Sequence, residues 1–255
     1  MLAVSHEVRA ALDRGAPVVA LETTIYSTLG LPAPHGAEAL RRSLAAIRAA
    51  GGVPALTCVL DGVARVGVDE ADHARVLATT RKVAERDLGV AVAGGGSGAT
   101  TVSASLALAA RAGVRVFATG GIGGVHRGAQ ATFDVSADLD AMARHPVLTV
   151  SAGPKAFLDL ALTLERLETA GVPVLGMGTD ELPAFYLRSS GLPVSHRVDT
   201  PAQAAAIAAA RWALGGGGLL VANPIPAADE LAEVEAALAA ALADAGRAGL
   251  RGPAV

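Results

Sequence analysis

The chain has 255 residues, enough for one large domain or two small ones, with a core that removes most of its apolar surface from water. A net charge of −3, with 18% charged and 52% hydrophobic residues, excludes an acidic disordered chain and gives no electrostatic basis for binding nucleic acid. The apolar excess is mostly Ala, Val and Leu, always interrupted by Gly, Pro or charge, so no membrane span is expected.

Met1 to Arg14 carries His6, Glu7, Arg9, Asp13 and Arg14 without a continuous apolar run. It does not read as a secretory signal, and a cytoplasmic location is the default expectation. Short apolar, β-branched runs then predict strands at Pro17 to Leu21, Val53 to Leu60, Val90 to Ala93, Val114 to Thr119, Leu148 to Ser151, Val172 to Met177 and Leu219 to Ala222. Between them, Ala/Leu-rich segments with helical spacing predict helices at Gly36 to Ala50, Glu70 to Thr79, Thr100 to Ala112, Ala137 to Arg144, Pro154 to Ala170, Pro201 to Leu214 and Asp229 to Ala245. Strands that are apolar throughout suit a sheet covered on both faces, so the fold expected is α/β, a three-layer sandwich with a mostly parallel sheet between helices. Asp61-Gly62 between two apolar runs predicts one antiparallel hairpin. The lone Cys58 sits in an apolar run and reads as a buried thiol. With no linker or repeat, residues 1–255 are expected to form a single domain.

The basic residues are nineteen Arg and only two Lys, Lys82 and Lys155. In so Arg-rich a chain, a retained lysine suggests either chance or chemistry that guanidinium cannot perform, such as forming a Schiff base. Lys155 follows a strand and a Gly-Pro turn, and the predicted helix would begin at this residue. A helix N-terminus and desolvation would both favour its neutral amine, whereas a lysine reaching into solvent is the plain alternative. Glu22 ends an apolar strand, where α/β folds bind ligands, and suits acid or base work or a simple ion pair.

Two glycine runs follow. Gly94 to Gly98 reads as a strand end, a flexible loop and a helix start, an arrangement that suits an anion, or else only a tight turn. Phe117 to Gly128 holds four glycines in five positions and ends in His126-Arg127-Gly128, for which a structural role is favoured. In Thr132-Phe-Asp-Val-Ser-Ala-Asp138, Asp134 precedes a helix that Ser136 caps; its carboxylate suits the helix dipole or a divalent cation held largely through water.

Taken in order, Val18 to Ile25, Gly52 to Ala55, Gly98 to Val102, Phe117 to Gly128, Thr132 to Asp138 and Val221 to Pro226 resemble the pseudouridine-5'-phosphate glycosidase family over almost the whole chain. The resemblance implies a lyase that reversibly cleaves the carbon–carbon glycosidic bond of pseudouridine 5'-phosphate, giving uracil and ribose 5-phosphate. By position it implies Glu22 as proton donor, Lys155 as covalent nucleophile and Asp134 as the carboxylate for Mn²⁺. Lys82, Val102, Ser136, Ala137 and Asp138 match substrate-binding positions. A homotrimer is implied, with a small-molecule substrate and neither nucleic acid nor membrane as partner. Relatives usually continue past the equivalent of Val255, so a missing C-terminal segment is expected; Gly96-Ser97 and Ser27 to Gly36 also depart from the family pattern. The competing expectations are another Schiff-base lyase or aldolase acting on a sugar phosphate, and a catalytically weakened binding or assembly protein.

Overall fold

The computed structural model describes residues 1–231 and 233–249. The chain divides into two compact units, one of Met1–Ala118 with His145–Leu148, the other of the remaining described residues.

The first unit contains β1 (Leu2–Val4), α1 (His6–Asp13), β2 (Val18–Leu21), α2 (His35–Ala49), β3 (Val53–Leu60), β4 (Val63–Val66), α3 (Glu70–Leu77), β5 (Lys82–Val83), α4 (Leu88–Ala93), β6 (Gly98–Thr100), α5 (Val102–Ala112) and β7 (Val116–Ala118). Its strands run in the order β1-β4-β3-β2-β7, with β6 on β3 and β5 on β6. Pairs β1–β4, β2–β3, β2–β7 and β5–β6 are parallel, whereas β3–β4 and β3–β6 are antiparallel. The hairpin expected at Asp61-Gly62 joins β3 to β4, both turn residues having the positive φ that such a tight turn requires. Strand β3 is covered on both sides, as its mostly apolar sequence implied. Leu56 packs with Leu21, Tyr26 and Leu40 of α2, and Cys58 and Leu60 pack with Val76 of α3, while the alternate residue Thr57 meets Ser105 of α5.

The second unit contains α6 (Ala129–Thr132), α7 (Ala137–Arg144), β8 (Leu148–Ser151), α8 (Leu160–Thr169), β9 (Val174–Met177), β10 (His196–Val198), α9 (Pro201–Ala213), β11 (Leu219–Ala222) and α10 (Glu233–Arg247). Strand order is β8-β11-β9-β10, and β9 pairs in parallel with both β11 and β10. Helix α9 starts where Thr200 and Gln203 cap one another's backbone and Pro201 takes the first turn. The architecture is the expected α/β arrangement, a mostly parallel sheet flanked by helices.

Four expectations are corrected. Val90 to Ala93 is the end of α4 rather than a strand; four apolar residues carry no readable period, and Gly94, Gly95 and Gly96 donate back to carbonyls of Val90, Val92 and Ala91 to close the helix. The glycine loop therefore leads from a helix into β6, the reverse of what was expected. The helix expected from Pro154 begins only at Leu160, because Pro154 is bridged to Ile122 and Asp159 is the cap that accepts from the Leu162 amide. The helix expected from Thr100 begins at Val102, since Thr100 closes β6. Of the helix expected at Asp229 to Ala245, Ala232 lies outside the described residues, Asp229 ends a short 3₁₀ turn, and α10 starts at Glu233.

Burial pushes the Cys58 thiol up to about 12. Because the thiolate is the reactive form, native protein at pH 8 will resist alkylation and unfolded protein will react at once, as intact-mass measurement after a short iodoacetamide pulse would show.

Candidate active site

In the first unit, Glu22 directly follows β2 and is 8% exposed. The backbone on both sides of it is held. On one side Leu21 is paired with Leu56 of β3 and Ala118 of β7; on the other, the Thr23 and Thr24 amides donate to the Thr100 carbonyl. The Thr23 and Thr100 hydroxyls both donate to the Thr57 carbonyl, at 2.8 and 2.6 Å, and the Thr100 amide donates to Thr23 Oγ1. Thr57 Oγ1 donates to Ser105 Oγ at 2.7 Å, and Ser105 Oγ in turn donates to the Thr101 carbonyl at 2.7 Å. That assignment uses each hydroxyl proton once and satisfies every buried group in the chain of bonds. It fixes the carboxyl end of β2, and with it the place of Glu22. Nearby Tyr26 is buried, which pushes its phenol above the ordinary value, and the charge of Glu22 pushes the same way.

Lys82 is exposed on β5, opposite Ala99 of β6, and the Thr101 amide donates to the carbonyl of the next residue, Val83. These bonds bring the Lys82 strand beside the start of α5. Val102 opens α5 and is 3% exposed. Of the two readings of Gly94 to Gly98, an anion site or a tight turn, the Gly94 to Gly96 amides favour the turn, being committed to the end of α4.

In the second unit one extended segment, Ile122 to His126, gathers the remaining candidates. Ile122 donates to the Gly153 carbonyl and accepts from the Lys155 amide at 3.2 Å, bridging to Pro154. Gly123 donates to Asp138 Oδ2 at 3.0 Å. Gly124 accepts from the Ser136 amide, and His126 donates to the Asp134 carbonyl. Val125 forms bridges to both Val135 and Asp159 and donates to Thr163 Oγ1. Lys155, Asp134, Ser136 and Asp138 are thereby tied to five consecutive residues.

The glycines follow from this geometry. A Cβ on Gly123 would stand 2.3 Å from Ser136 Oγ, one on Gly124 2.4 Å from Thr163 Oγ1, and one on Gly121 2.4 Å from the Phe185 ring. Ser136 caps α7 as expected, accepting from the Asp138 amide, and Ala137 is the helix's first residue. Arg127 donates to the Phe157 carbonyl, in line with a structural role.

Asp134 Oδ2 is buried with no hydrogen-bond partner, and His126 Nδ1 lies 3.7 Å away. A carboxylate oxygen left open in this way fits a hard cation held mainly by water. Among the described residues no group of three or more His, Cys, Asp or Glu side chains could hold a metal. Lys155 itself is exposed and opens a turn before α8, its carbonyl accepting from the Leu158 amide, so, contrary to expectation, its own loop provides neither a helix N-terminus nor burial. Glu22, Lys82 and Val102 thus belong to the first unit, and Asp134, Ser136, Ala137, Asp138 and Lys155 to the second. The organising residues Ile122, Val125 and Thr163 were missed; the glycine run was the one signal that could have pointed to them. An open groove lined by Glu165, Glu168 and His196 contains none of the candidates.

A family model described as indigoidine synthase A like protein matches residues 7–255. The chain belongs to that family. Relatives named pseudouridine-5'-phosphate glycosidase place it more narrowly among the glycosidases. That of Methylobacterium nodulans is 53% identical, the match spanning 100% of this chain and 77% of the relative, and that of Myxococcus xanthus is 53% identical over 100% and 86%. Among solved structures, the prealnumycin C-glycosynthase AlnA in complex with ribulose 5-phosphate is 42% identical with a TM-score of 0.90, covering 99% of this chain and 83% of that one. An indigoidine synthase A-like protein from Thermotoga maritima is 34% identical with a TM-score of 0.85, covering 94% and 80%. No helix among the described residues is long and apolar enough to cross a membrane.

Gly123→Ala forces the Ser136 loop and Asp138 apart and should lower stability by about 1–3 kcal/mol, as overpacking does. Gly89→Ala, inside α4 with open space around it, should be neutral or stabilising by about 0.5–1 kcal/mol. Urea unfolding of both variants tests the difference.

Proposed function

We propose that this enzyme reversibly cleaves the C-glycosidic bond of pseudouridine 5'-phosphate, with water, to uracil and ribose 5-phosphate through a Schiff base on Lys155. The observation that carries the reading is 53% identity across the full chain to glycosidases of that name. A C-glycosynthase of the same fold, seen with ribulose 5-phosphate, supports a pentose phosphate as substrate and a reaction that runs either way.

A carbon-linked base has no glycosidic nitrogen to protonate, so its departure needs an electron sink. The Lys155 amine attacks the anomeric carbon as the ring oxygen leaves, and Glu22 gives that oxygen a proton. The alkylated nitrogen gives up a proton, its lone pair then forms an iminium to the same carbon as the bond to uracil breaks toward the base and the uracil ring carbon takes up a proton, and water hydrolyses the imine to free the amine and the sugar phosphate. Arginine cannot replace Lys155, because guanidinium stays protonated. Lys82, Val102, Ser136, Ala137 and Asp138 bind the substrate. Asp134 would hold Mn²⁺, and the ion would supply positive charge as a Lewis acid. The two units act as one functional domain, in a cytoplasmic homotrimer.

With Mn²⁺ and pseudouridine 5'-phosphate, wild-type protein should release uracil, and Lys155→Ala and Lys155→Arg should lose at least about 1,000-fold in kcat, as removal of a nucleophile does. Borohydride should add a ribose-phosphate mass to wild-type protein alone. Uracil release by either variant, or an adduct mapped to Lys82, would overturn the assignment; sugar-phosphate cleavage without uracil release would favour an aldolase.

A further inference from the structure

Residues Pro183 to Tyr186 form a turn that no part of the proposed reaction uses, yet it presses on both strands of the backbone that holds Lys155. Phe185 has φ of +61°, in the left-handed region that bulky residues rarely occupy. Such a conformation persists only where the surroundings over-determine it, and it gathers at functional sites. Several contacts determine it here. The Phe185 amide donates to the Ala152 carbonyl at 2.9 Å, Ala184 is bridged to Leu187, and the Phe185 ring meets the Tyr186 ring edge-on at 4.4 Å.

The ring and its neighbour Pro183 lie against two glycines that flank the Lys155 anchor. A Cβ on Gly121 would stand 2.4 Å from the Phe185 ring, and one on Gly153 would stand 2.0 Å from the Pro183 carbonyl oxygen. Gly121 immediately precedes Ile122, whose carbonyl accepts from the Lys155 amide, and the Gly153 carbonyl accepts from the Ile122 amide. The turn therefore rests on the two sides of one small ladder, and the ladder fixes where the Lys155 main chain stands.

We propose that Phe185 is a positioning residue for Lys155: its ring, held by a left-handed backbone against Gly121, sets the Ile122–Lys155 ladder at the distance from which the amine reaches the anomeric carbon. The proposal rests on the Schiff-base reading of Lys155. It accounts for an aromatic residue in a conformation that glycine would adopt without strain, and for glycine at 121, where the ring touches the ladder; Gly153 is required in addition by its own φ of +97°.

The test uses the full chain with Mn²⁺, measuring kcat and KM for uracil release together with the rate of borohydride-trapped adduct at Lys155. Phe185→Gly removes the ring but accepts the backbone angle, so it keeps the fold; kcat and the trapping rate should fall by up to about 100-fold with KM unchanged, the size expected of a misplacement near 1 Å. Phe185→Tyr keeps the ring and should restore both. Gly121→Ala drives the ring off from the other side and should reproduce the loss, which covers the case in which Phe185→Gly fails to fold. A wild-type adduct at Lys155 with Phe185→Gly or Gly121→Ala trapping at the wild-type rate overturns the positioning role and leaves the Schiff base standing. No adduct at Lys155 in wild-type protein overturns the Schiff-base reading and the positioning role together.

Discussion

The second unit depends on one backbone constraint. Ile122 to His126 belongs to no regular strand or helix, so its amides and carbonyls have no ladder of their own and must be satisfied by other groups. The chain satisfies them with the candidate site: the Gly153 carbonyl and Lys155 amide on Ile122, the Asp138 carboxylate on Gly123, the Ser136 amide on Gly124, and the Asp134 carbonyl on His126. Folding the segment and assembling the site are therefore one event. The cost of leaving a buried peptide group unpaired, about 1–3 kcal/mol each, is what holds the functional groups in register.

The first unit solves a similar problem with hydroxyls. Thr23, Thr57, Thr100 and Ser105 are all buried, and each would destabilise the core if its hydroxyl lacked a partner. Apolar residues of similar shape would give a simpler core. The hydroxyls instead tie the end of β2, the middle of β3 and the end of β6 to one another in a directional way that apolar packing lacks. Glu22 follows immediately on that knot. A buried carboxylate tolerates little drift, because every shift changes its solvation, and a network of short bonds limits drift better than side-chain packing does.

Much of this was legible from residue pattern. The mostly apolar run Val53 to Leu60 meant a strand covered on both faces, and β3 is such a strand. Asp61-Gly62 meant a hairpin, and Ser136 meant a helix cap. The failures have two causes. Val90 to Ala93 is too short to show a period and is closed as helix by the glycines just after it, whereas Pro154 is held by Ile122, a partner distant in sequence about which local propensity is silent. The glycines of residues 120–124 signalled close approach without saying to what. Only the fold shows that Ser136, Thr163 and the Phe185 ring occupy the places their side chains would take. Asp138, expected among the substrate-binding positions, is also a backbone acceptor, a second duty that spacing along the chain cannot reveal.

The position of Lys155 bears on how a nucleophilic lysine is made selective. Its side chain is exposed, and neither a helix start nor an apolar pocket within its own loop shapes its surroundings. What the structure controls is the main chain beneath it, through the Ile122 ladder and the glycine contacts on either side. A long side chain with free rotamers samples many positions, so anchoring its base narrows the volume the amine visits and raises the fraction of encounters with correct geometry. In the proposed reaction, an opening sugar held by its phosphate would supply the other half of that geometry. Selectivity for one carbon among the reactive positions of a pentose phosphate then comes from where two anchored ends meet, and a lysine whose own loop is open to solvent can still be a specific nucleophile.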